Sequence, residues 1–406
     1  MGHVLHARSH DARRDSTRDQ NEGFELHAAN HTGSRRKSNN MTTTFRVATF
    51  NCENLFSRPK MLNYVGNEKA ARPLAHLATL DKLLAKAKYK PDDKRRILEL
   101  LEELSPYVRI NALRGRLMAG SRVKAAGRSD WVGGIELKRV NLPLVAQENT
   151  ARVIKAVGAE IQCVVEVDDR LTLESFNRQF LAGPSSYPYN MLIDGNDHRG
   201  IDVGLLSKYP IGEVRTHVFD TAAGSRSRIF SRDCLEVSVM LPDGRTLHVL
   251  INHFKSKLGQ VSYCNAKRKA QANRVVEILR AYDLRKDLVV IAGDLNDCPT
   301  SEPLHRLLDV PDLVDVLTQR FVDPKDRWTC ATKEQIDYLL VSRPLARAMI
   351  DAGVERRGLL DAGKLTGGAV ASFETVTSDT TDASDHCAVW GEFRTIGQGC
   401  GANAIT

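Results

Sequence analysis

Five times along this chain an apolar, strand-like run is bounded by amide, acidic or imidazole side chains. "FRVATF" ends at Asn51 with Glu53 two residues on, and "IQCVV" ends at Glu166. "LHVLI" ends at Asn252 and His253, and "LVVIAG" ends at Asp294 with Asn296 and Asp297 beyond it. The last run, "HCAVWGEF", is instead preceded by Ser384 and Asp385 and opens at His386. A polar group at the end of a buried strand costs free energy unless something pairs with it. Strands arranged in this way can pool their ends in one crevice, which is where open α/β sheets hold ligands. Each instance alone is weak, since a carboxylate after a strand is more often a cap or turn former. The recurrence shifts the balance toward a site.

Between these runs lie amphipathic helical patterns, so strand and helix alternate in an α/β rhythm. "IQCVVE", "GIDVGLLS", "CLEVSVML", "TLHVLINH", "LVVIAGD" and "IDYLLVS" read as strands, with a Pro242-Asp243-Gly244-Arg245 turn. "AKRKAQANRVVEILRAY" reads as a helix packing through Ala272, Val275, Val276 and Leu279. Asn149 or Thr150 is expected to cap a helix carrying Val153, Ile154 and Val157 that stops at Gly158. Residues 57–149 break the rhythm. They hold "LDKLLAKA", with Leu80, Leu83, Leu84 and Ala87 at helical spacing, and "PDDKRRILELLEELSP", which opens on Pro91 and stops before Pro106. "DWVGGIELKR" follows as a hairpin arm. The stretch reads as a helical and hairpin insertion at 57–149 within a domain of residues 41–396. Residues 1–40 are polar and aperiodic, the pattern of a disordered tail, with Met41 as the expected true start. Residues 397–406 read as a loose tail.

Of the net charge of +8, residues 57–149 carry +9, from 19 Lys/Arg against 10 Asp/Glu. That excess fits either a polyanionic partner or a solvated helical surface. Trp131 within it is available to stack on a base, although a tryptophan in a hairpin more often packs a core. No apolar run approaches the ~18 residues of a membrane span, and no export signal opens the chain. Eight cysteines among 406 residues form no disulfide density and no zinc spacing. Reduced thiols in a cytoplasm are therefore expected.

The residue types narrow the chemistry. Glu166, Asp385, Asn51 and Glu53 are hard oxygen ligands without a thiolate set, favouring Mg²⁺ or Mn²⁺ over zinc. His253 and His386, each near a carboxylate, suit proton transfer. Amides such as Asn51 and Asn296 can donate to an anionic oxygen without adding charge. Together these groups fit hydrolysis at phosphorus.

"TFNCENLF", "CVVEV", "RGIDVGLLSKYPI", "NHFKSK", "GDLND", "QIDYLLVS" and "SDHCAVW" occur in the order found in the endonuclease/exonuclease/phosphatase superfamily, which the chain resembles over residues 45–56 and 150–395. The resemblance implies a four-layer sandwich, two packed mixed β-sheets flanked by helices. It also implies roles. Glu166 resembles the principal metal-binding glutamate, with Asn51 beside the same ion and Asp385 as a second ligand; Glu53 stands where some members have an aspartate. Asp294 and Asn296 resemble the pair that positions the attacking water and the phosphoryl oxygens. His386 resembles the catalytic histidine, oriented by Asp337, and His253 is similar to a second histidine near the leaving group. Asp202 is offered as a partner orienting His253, and Asn252 and Lys255 as substrate or orienting residues. The implied activity is a divalent-metal-dependent phosphodiester hydrolase, a nuclease on DNA or RNA. The alternatives are a phosphoesterase on a phospholipid, inositol phosphate or other small ester, and a non-catalytic binding module.

Overall fold

The computed structural model describes residues 44–55, 57–59, 68–141, 143–197 and 199–395, so the expectations for residues 1–40, Met41 and 397–406 lie outside it. Chain order begins with β1 (Thr44–Leu55), β2 (Ser57–Pro59), α1 (Glu68–Leu84), α2 (Pro91–Glu103), β3 (Val108–Arg114), β4 (Met118–Ala119), β5 (Arg122–Val123), β6 (Val132–Leu137) and β7 (Arg139–Asn141). Then come α3 (Leu144–Val157), β8 (Ile161–Val167), α4 (Arg170–Phe180), β9 (Tyr189–Leu192), β10 (Asp202–Ser207), β11 (Ile211–Arg215), β12 (Cys234–Met240) and β13 (Thr246–His253). The rest are α5 (Val261–Leu279), β14 (Leu288–Asp294), α6 (Glu302–Leu308), β15 (Leu313–Asp315), α7 (Val316–Arg320), β16 (Asp337–Ser342), α8 (Arg343–Ala348), β17 (Met349–Glu355), α9 (Ala362–Leu365) and β18 (Ala388–Arg394).

Two six-stranded sheets result, ordered β17-β18-β1-β8-β10-β9 and β11-β12-β13-β14-β16-β15. Each is mixed, with one parallel pair at its centre: β1 with β8, and β13 with β14. Side-chain alternation sorts the layers. Val47, Val165, Val203, Val249, Val290 and Leu339 face inward and form the core shared by both sheets. Ala48, Phe50 and Val164 face outward against α3 and α4, while Leu250, Val289 and Ile291 face outward against α5 and α6. Strands buried on both faces read as continuous apolar runs, and all seven residues of β14 are buried. The architecture is helix, sheet, sheet, helix, the sandwich expected from sequence.

α3 starts at Leu144, five residues before Asn149 and six before Thr150, the expected caps. Asn149 and Thr150 lie inside it and donate to the carbonyls of Thr381 and Ala383. Their polar atoms thus tie the helix to the loop before β18 instead of capping it. Gly158 ends α3 in the left-handed conformation, φ +63°.

The residues between β2 and β7 have their own core, in which Leu80, Leu84, Ile97, Leu100 and Trp131 are fully or nearly buried. Trp131 donates its indole N–H to the Tyr89 hydroxyl at 3.0 Å. Packing, not base stacking, accounts for it. Ala87 is exposed beyond the end of α1. Several cations here are already paired, as in Lys86–Asp93 (2.6 Å), Arg95–Asp92 (2.7 Å) and Arg96–Glu99 (3.0 Å). Among the described residues no helix is long and apolar enough to cross a membrane.

Candidate active site

Strand parity builds the site. On β1, β13, β14 and β16 the inward-facing set includes Val47, Ile251, Ala292 and Leu339. Continued to the strand ends, the same parity points Asn51, His253, Asp294 and Asp337 into the crevice between the sheets. Register does the rest, for Asp294 lies level with His253 across the parallel pair and with Asp337 across the antiparallel one.

Glu166 breaks the alternation. Val165 faces the inner core and Val167 the outer one. The pairing with β10 slips between Asp202 and Val203, leaving Glu166 in a bulge at φ +62°. Bulges re-aim a side chain, and this one turns the carboxylate into the crevice. Glu53 (φ +48°) and Asn296 (φ +55°) also hold left-handed backbone there. Such strain in non-glycine residues persists only where the surroundings impose it. At Gly293, φ +129°, a Cβ would lie 1.9 Å from the Asn252 carbonyl oxygen, so the close approach of β13 and β14 requires glycine.

The cleft has a volume of about 320 Å³ and is lined by Glu53, Glu166, His253, Asp294, Asn296, Asp385 and His386. Asp294 Oδ2 accepts from Asn296 Nδ2 at 2.8 Å and Asn51 Nδ2 at 3.2 Å, and Oδ1 accepts from the Asn296 amide at 2.7 Å. His386 Nδ1 lies 2.8 Å from Asp337 Oδ2, which also accepts from the Thr329 hydroxyl at 2.8 Å. Its Nε2 faces Asp294 at 3.9 Å and Asp385 at 3.8 Å. His253 Nε2 stands 3.6 Å from Asp294 and 3.7 Å from Glu166. Ser384 braces the rim, donating to the Asn51 carbonyl at 2.7 Å and accepting from the His386 amide.

The two histidines are tuned in opposite directions. Burial disfavours charge on both. At His386, Asp337, Asp385 and Asp294 reverse that penalty and hold the pKa well above 6.5. At His253, Arg232 and Arg199 add to burial and hold it well below. Asp294 is pushed up to about 7, chiefly by burial, with Asp337 and Glu166 adding repulsion.

Three expected residues fall elsewhere. Asn252 shares the outward parity of Leu250, pairs with Cys234 on the α5 face and donates to the Leu250 carbonyl, so alternation separates it from His253. Lys255 turns its ammonium onto the Ser256 and Leu258 carbonyls, and Lys257 lines the cleft instead. Asp202 accepts from the Gly195 amide at 2.8 Å and does not orient His253, whose Nδ1 has no hydrogen-bond partner.

Arg199 and Arg232 line the cleft as well, and the sequence reading assigned neither a role. Asp197 grips both. Its oxygens accept from Arg199 Nε (2.9 Å) and a terminal Arg199 nitrogen (2.7 Å), and Arg232 Nε lies 2.9 Å from Oδ2. Burial opposes charge on Asp197, but the two guanidinium groups bring its carboxyl down to about 2. Arg199 stands in the "RGID" stretch, where a signal was available.

For a divalent cation, the donors at hand are oxygens: Glu166, Glu53, Asp385 and the Asn51 carbonyl. Glu53 Oε2 accepts from the Asp385 amide at 3.1 Å and Asn51 Oδ1 from the Glu53 amide at 3.1 Å, so the set is cross-linked. The one trio of carboxylate and imidazole atoms lying within 4.8 Å of one another, among the described residues, is Asp294, Asp337 and His386. The short His386–Asp337 bond marks that trio as a proton-holding pair beside an acid. The expected carboxylates Glu166, Glu53 and Asp385 do not gather as tightly and fall outside that trio. A buried, raised acid beside Glu166 is also an electrostatic environment that a hard cation relieves.

Residues 144–320 match the model of a family described as the Endonuclease/Exonuclease/phosphatase family. No curated protein matches the chain by sequence. Among solved structures, an endonuclease/exonuclease/phosphatase from Beutenbergia cavernae is similar at 16% identity and TM-score 0.47, over 86% of this chain and 71% of that one. A Bacteroides thetaiotaomicron protein of the same family description is similar at 12% identity and TM-score 0.47, over 87% and 98%. Truncated TDP2 of Caenorhabditis elegans is similar at 19% identity and TM-score 0.43, over 62% and 91%.

Proposed function

With residues 144–320 placing the chain in the endonuclease/exonuclease/phosphatase superfamily, whose members hydrolyse phosphoester bonds, we propose that this protein is a divalent-metal-dependent phosphodiester hydrolase acting on nucleic acid. The observation that carries the reading is the convergence of Glu166, Asp294 and His386 from three separate parts of the chain on one cleft, with a carboxylate behind the histidine.

In this reading Asp294 takes the proton of the attacking water. Its pKa of about 7 matches a base working near neutrality, and the Asn296 and Asn51 amides fix its orientation. His386, kept protonated by Asp337, donates from Nε2 to a phosphoryl oxygen as charge develops there. His253, kept neutral, is the hydrogen-bonding partner near the leaving oxygen. Arg199 and Arg232, locked by Asp197, supply fixed positive charge to the phosphodiester. Mg²⁺ or Mn²⁺ held by Glu166, with Glu53, Asn51 and Asp385 around it, would neutralise phosphoryl charge when bound.

The test is incubation of the purified protein with DNA and with RNA, with Mg²⁺, Mn²⁺ or neither. Metal-dependent cleavage that disappears in an Asp294→Ala, His386→Ala double variant is expected; equal cleavage by that variant refutes the reading. Turnover of bis-p-nitrophenyl phosphate without cleavage of either polymer would move the substrate to a small phosphoester.

A further inference from the structure

We infer that a second groove, walled by the β3–β6 ribbon and joined to the catalytic cleft through Arg199, holds unpaired nucleotides flanking the scissile phosphodiester. The inference rests on the nucleic-acid reading above and names the form of the substrate. The groove has a volume of about 520 Å³, and Arg199 is the residue that lines both it and the cleft. A strand lying along the ribbon is thereby led to the reacting centre.

The ribbon has two unlike faces. Ile110 and Ile135 pack against the core that contains Trp131, Ile135 also edging the groove. The opposite face presents Asn111, Val132, Gly134 and Glu136 to the groove. Between Ala112 and Arg114 the register with β6 shifts, and the unmatched residue is Leu113, which is 82% exposed. A bulge re-aims its side chain, and here it holds a large apolar group in the open beside Val132. Gly134 lies level with Asn111, and a Cβ there would meet no atom within 4 Å. The wall is therefore flat, bare backbone flanked by two aliphatic side chains, a surface fit for the π-face of a base.

Charge completes the site. Arg128 donates to the Gly133 carbonyl at 2.6 Å, lies over the Trp131 ring and makes no ion pair among the described residues. Glu136, the one acid of the lining, is paired with Arg109 at 2.8 Å. Asp197 is shared between Arg199 and Arg232, so the groove carries the charge of Arg128 and, at its cleft end, the surplus of that two-arginine, one-aspartate cluster, on a largely apolar floor. Single strands are gripped by backbone phosphates on cations and by bases stacked on aromatic or guanidinium faces; here bare backbone and aliphatic side chains take the place of the aromatic face. A paired duplex keeps its base faces stacked inside and cannot use the floor.

The test is binding of a 5′-fluorescein-labelled oligothymidylate of about ten nucleotides, followed by anisotropy in EDTA with the full chain. Gly134→Leu fills the bare floor where space is open, and Leu113→Glu puts a negative charge on a side chain whose exposure makes it irrelevant to folding. Each is expected to weaken binding about ten-fold or more, the effect of losing a base contact, and duplex of the same length should bind less tightly than the single strand. With active protein, each variant should raise the oligonucleotide KM and leave its kcat in place. Unchanged affinity in both variants overturns the inference, as does failure of the wild-type chain to bind the oligonucleotide, which would leave the ribbon to a protein partner. The nuclease reading fails separately, if the wild-type chain binds the strand and turns over bis-p-nitrophenyl phosphate yet cuts no polymer.

Discussion

The sandwich and the segment between β2 and β7 make their contributions by different physical means. In the sandwich, the proposed catalytic groups sit at strand ends, where register fixes positions to within a side chain and the identity of each residue would carry the chemistry. His253, Asp294 and Asp337 are level because β13, β14 and β16 are paired. In the segment, the features that matter are a bulged Leu113 and a missing side chain at Gly134, which are matters of shape. The first kind of site leaves a motif in the sequence. The second leaves almost none, and its basic charge, the visible signal, is in part engaged in ion pairs in and around α1 and α2.

The largest effect should come from the sandwich. Asp294→Asn is expected to lower kcat on any phosphodiester by roughly 10²–10⁴, the range for losing a general base. Its melting temperature should hold or rise, because a buried carboxyl repelled by Asp337 and Glu166 is removed. A variant that keeps wild-type kcat would dissolve the assignment of chemistry to strand ends.

Asp337→Asn should follow, with kcat down by about 10² or more and a shift in pH profile. Asp337 raises the His386 pKa, so its loss lowers that value. Activity that needs protonated His386 is lost as pH rises through its pKa, and the alkaline limb of kcat/KM should therefore move to lower pH. A limb that stays in place would make Asp337 merely structural.

Trp131→Ala sharpens the contrast between regions. Emptying a buried tryptophan site costs about 3–5 kcal/mol, and the loss should fall on the segment's own core. Hydrogen exchange should quicken in α1, α2 and β3 before it does in β14, with oligonucleotide affinity falling while bis-p-nitrophenyl phosphate turnover persists. Simultaneous loss of both activities would mean the two regions melt as one.

The smallest effect concerns His217, buried beside the sandwich's edge. It faces Asp220 at 3.0 Å and Glu236 at 3.2 Å, and its amide donates to Asp233. Burial opposes its charge, but Glu236 and Asp220 raise the pKa above 6.5 on balance. A raised folded value gives stability that is complete below the unfolded pKa of about 6.5 and is lost as pH climbs through the folded one. Thermal melts should show the wild type losing stability over that window and His217→Gln losing less; parallel curves would exclude the contribution.

Much of the cleft was legible because apolar strand middles give way to polar side chains at the strand ends, a change of residue type that shows in the sequence. "LVVIAGD" could be read as a buried strand delivering Asp294, and "SDHCAVW" as a polar turn into a final strand. Asn252 and Lys255 were misjudged for different reasons: Asn252 is one position from His253 and so faces the opposite side of β13, whereas Lys255 lies beyond the end of the strand, where its ammonium folds back onto the Ser256 and Leu258 carbonyls. Arg232 gave no sign, because its role depends on Asp197, 35 positions earlier, closing over it.

By itself, then, the sequence determined the alternation of strand and helix, the buried strands and the oxygen-rich polar ends that make hydrolysis at phosphorus the natural chemistry. These are local properties, set by side-chain period and composition. Tertiary structure decided that His386 is pushed toward the charged form and His253 toward the neutral one, that Glu166 turns inward through a bulge, and that the ribbon's bare face adjoins the cleft at Arg199. Each of those depends on burial and on partners distant along the chain, quantities that exist only once the two sheets have packed.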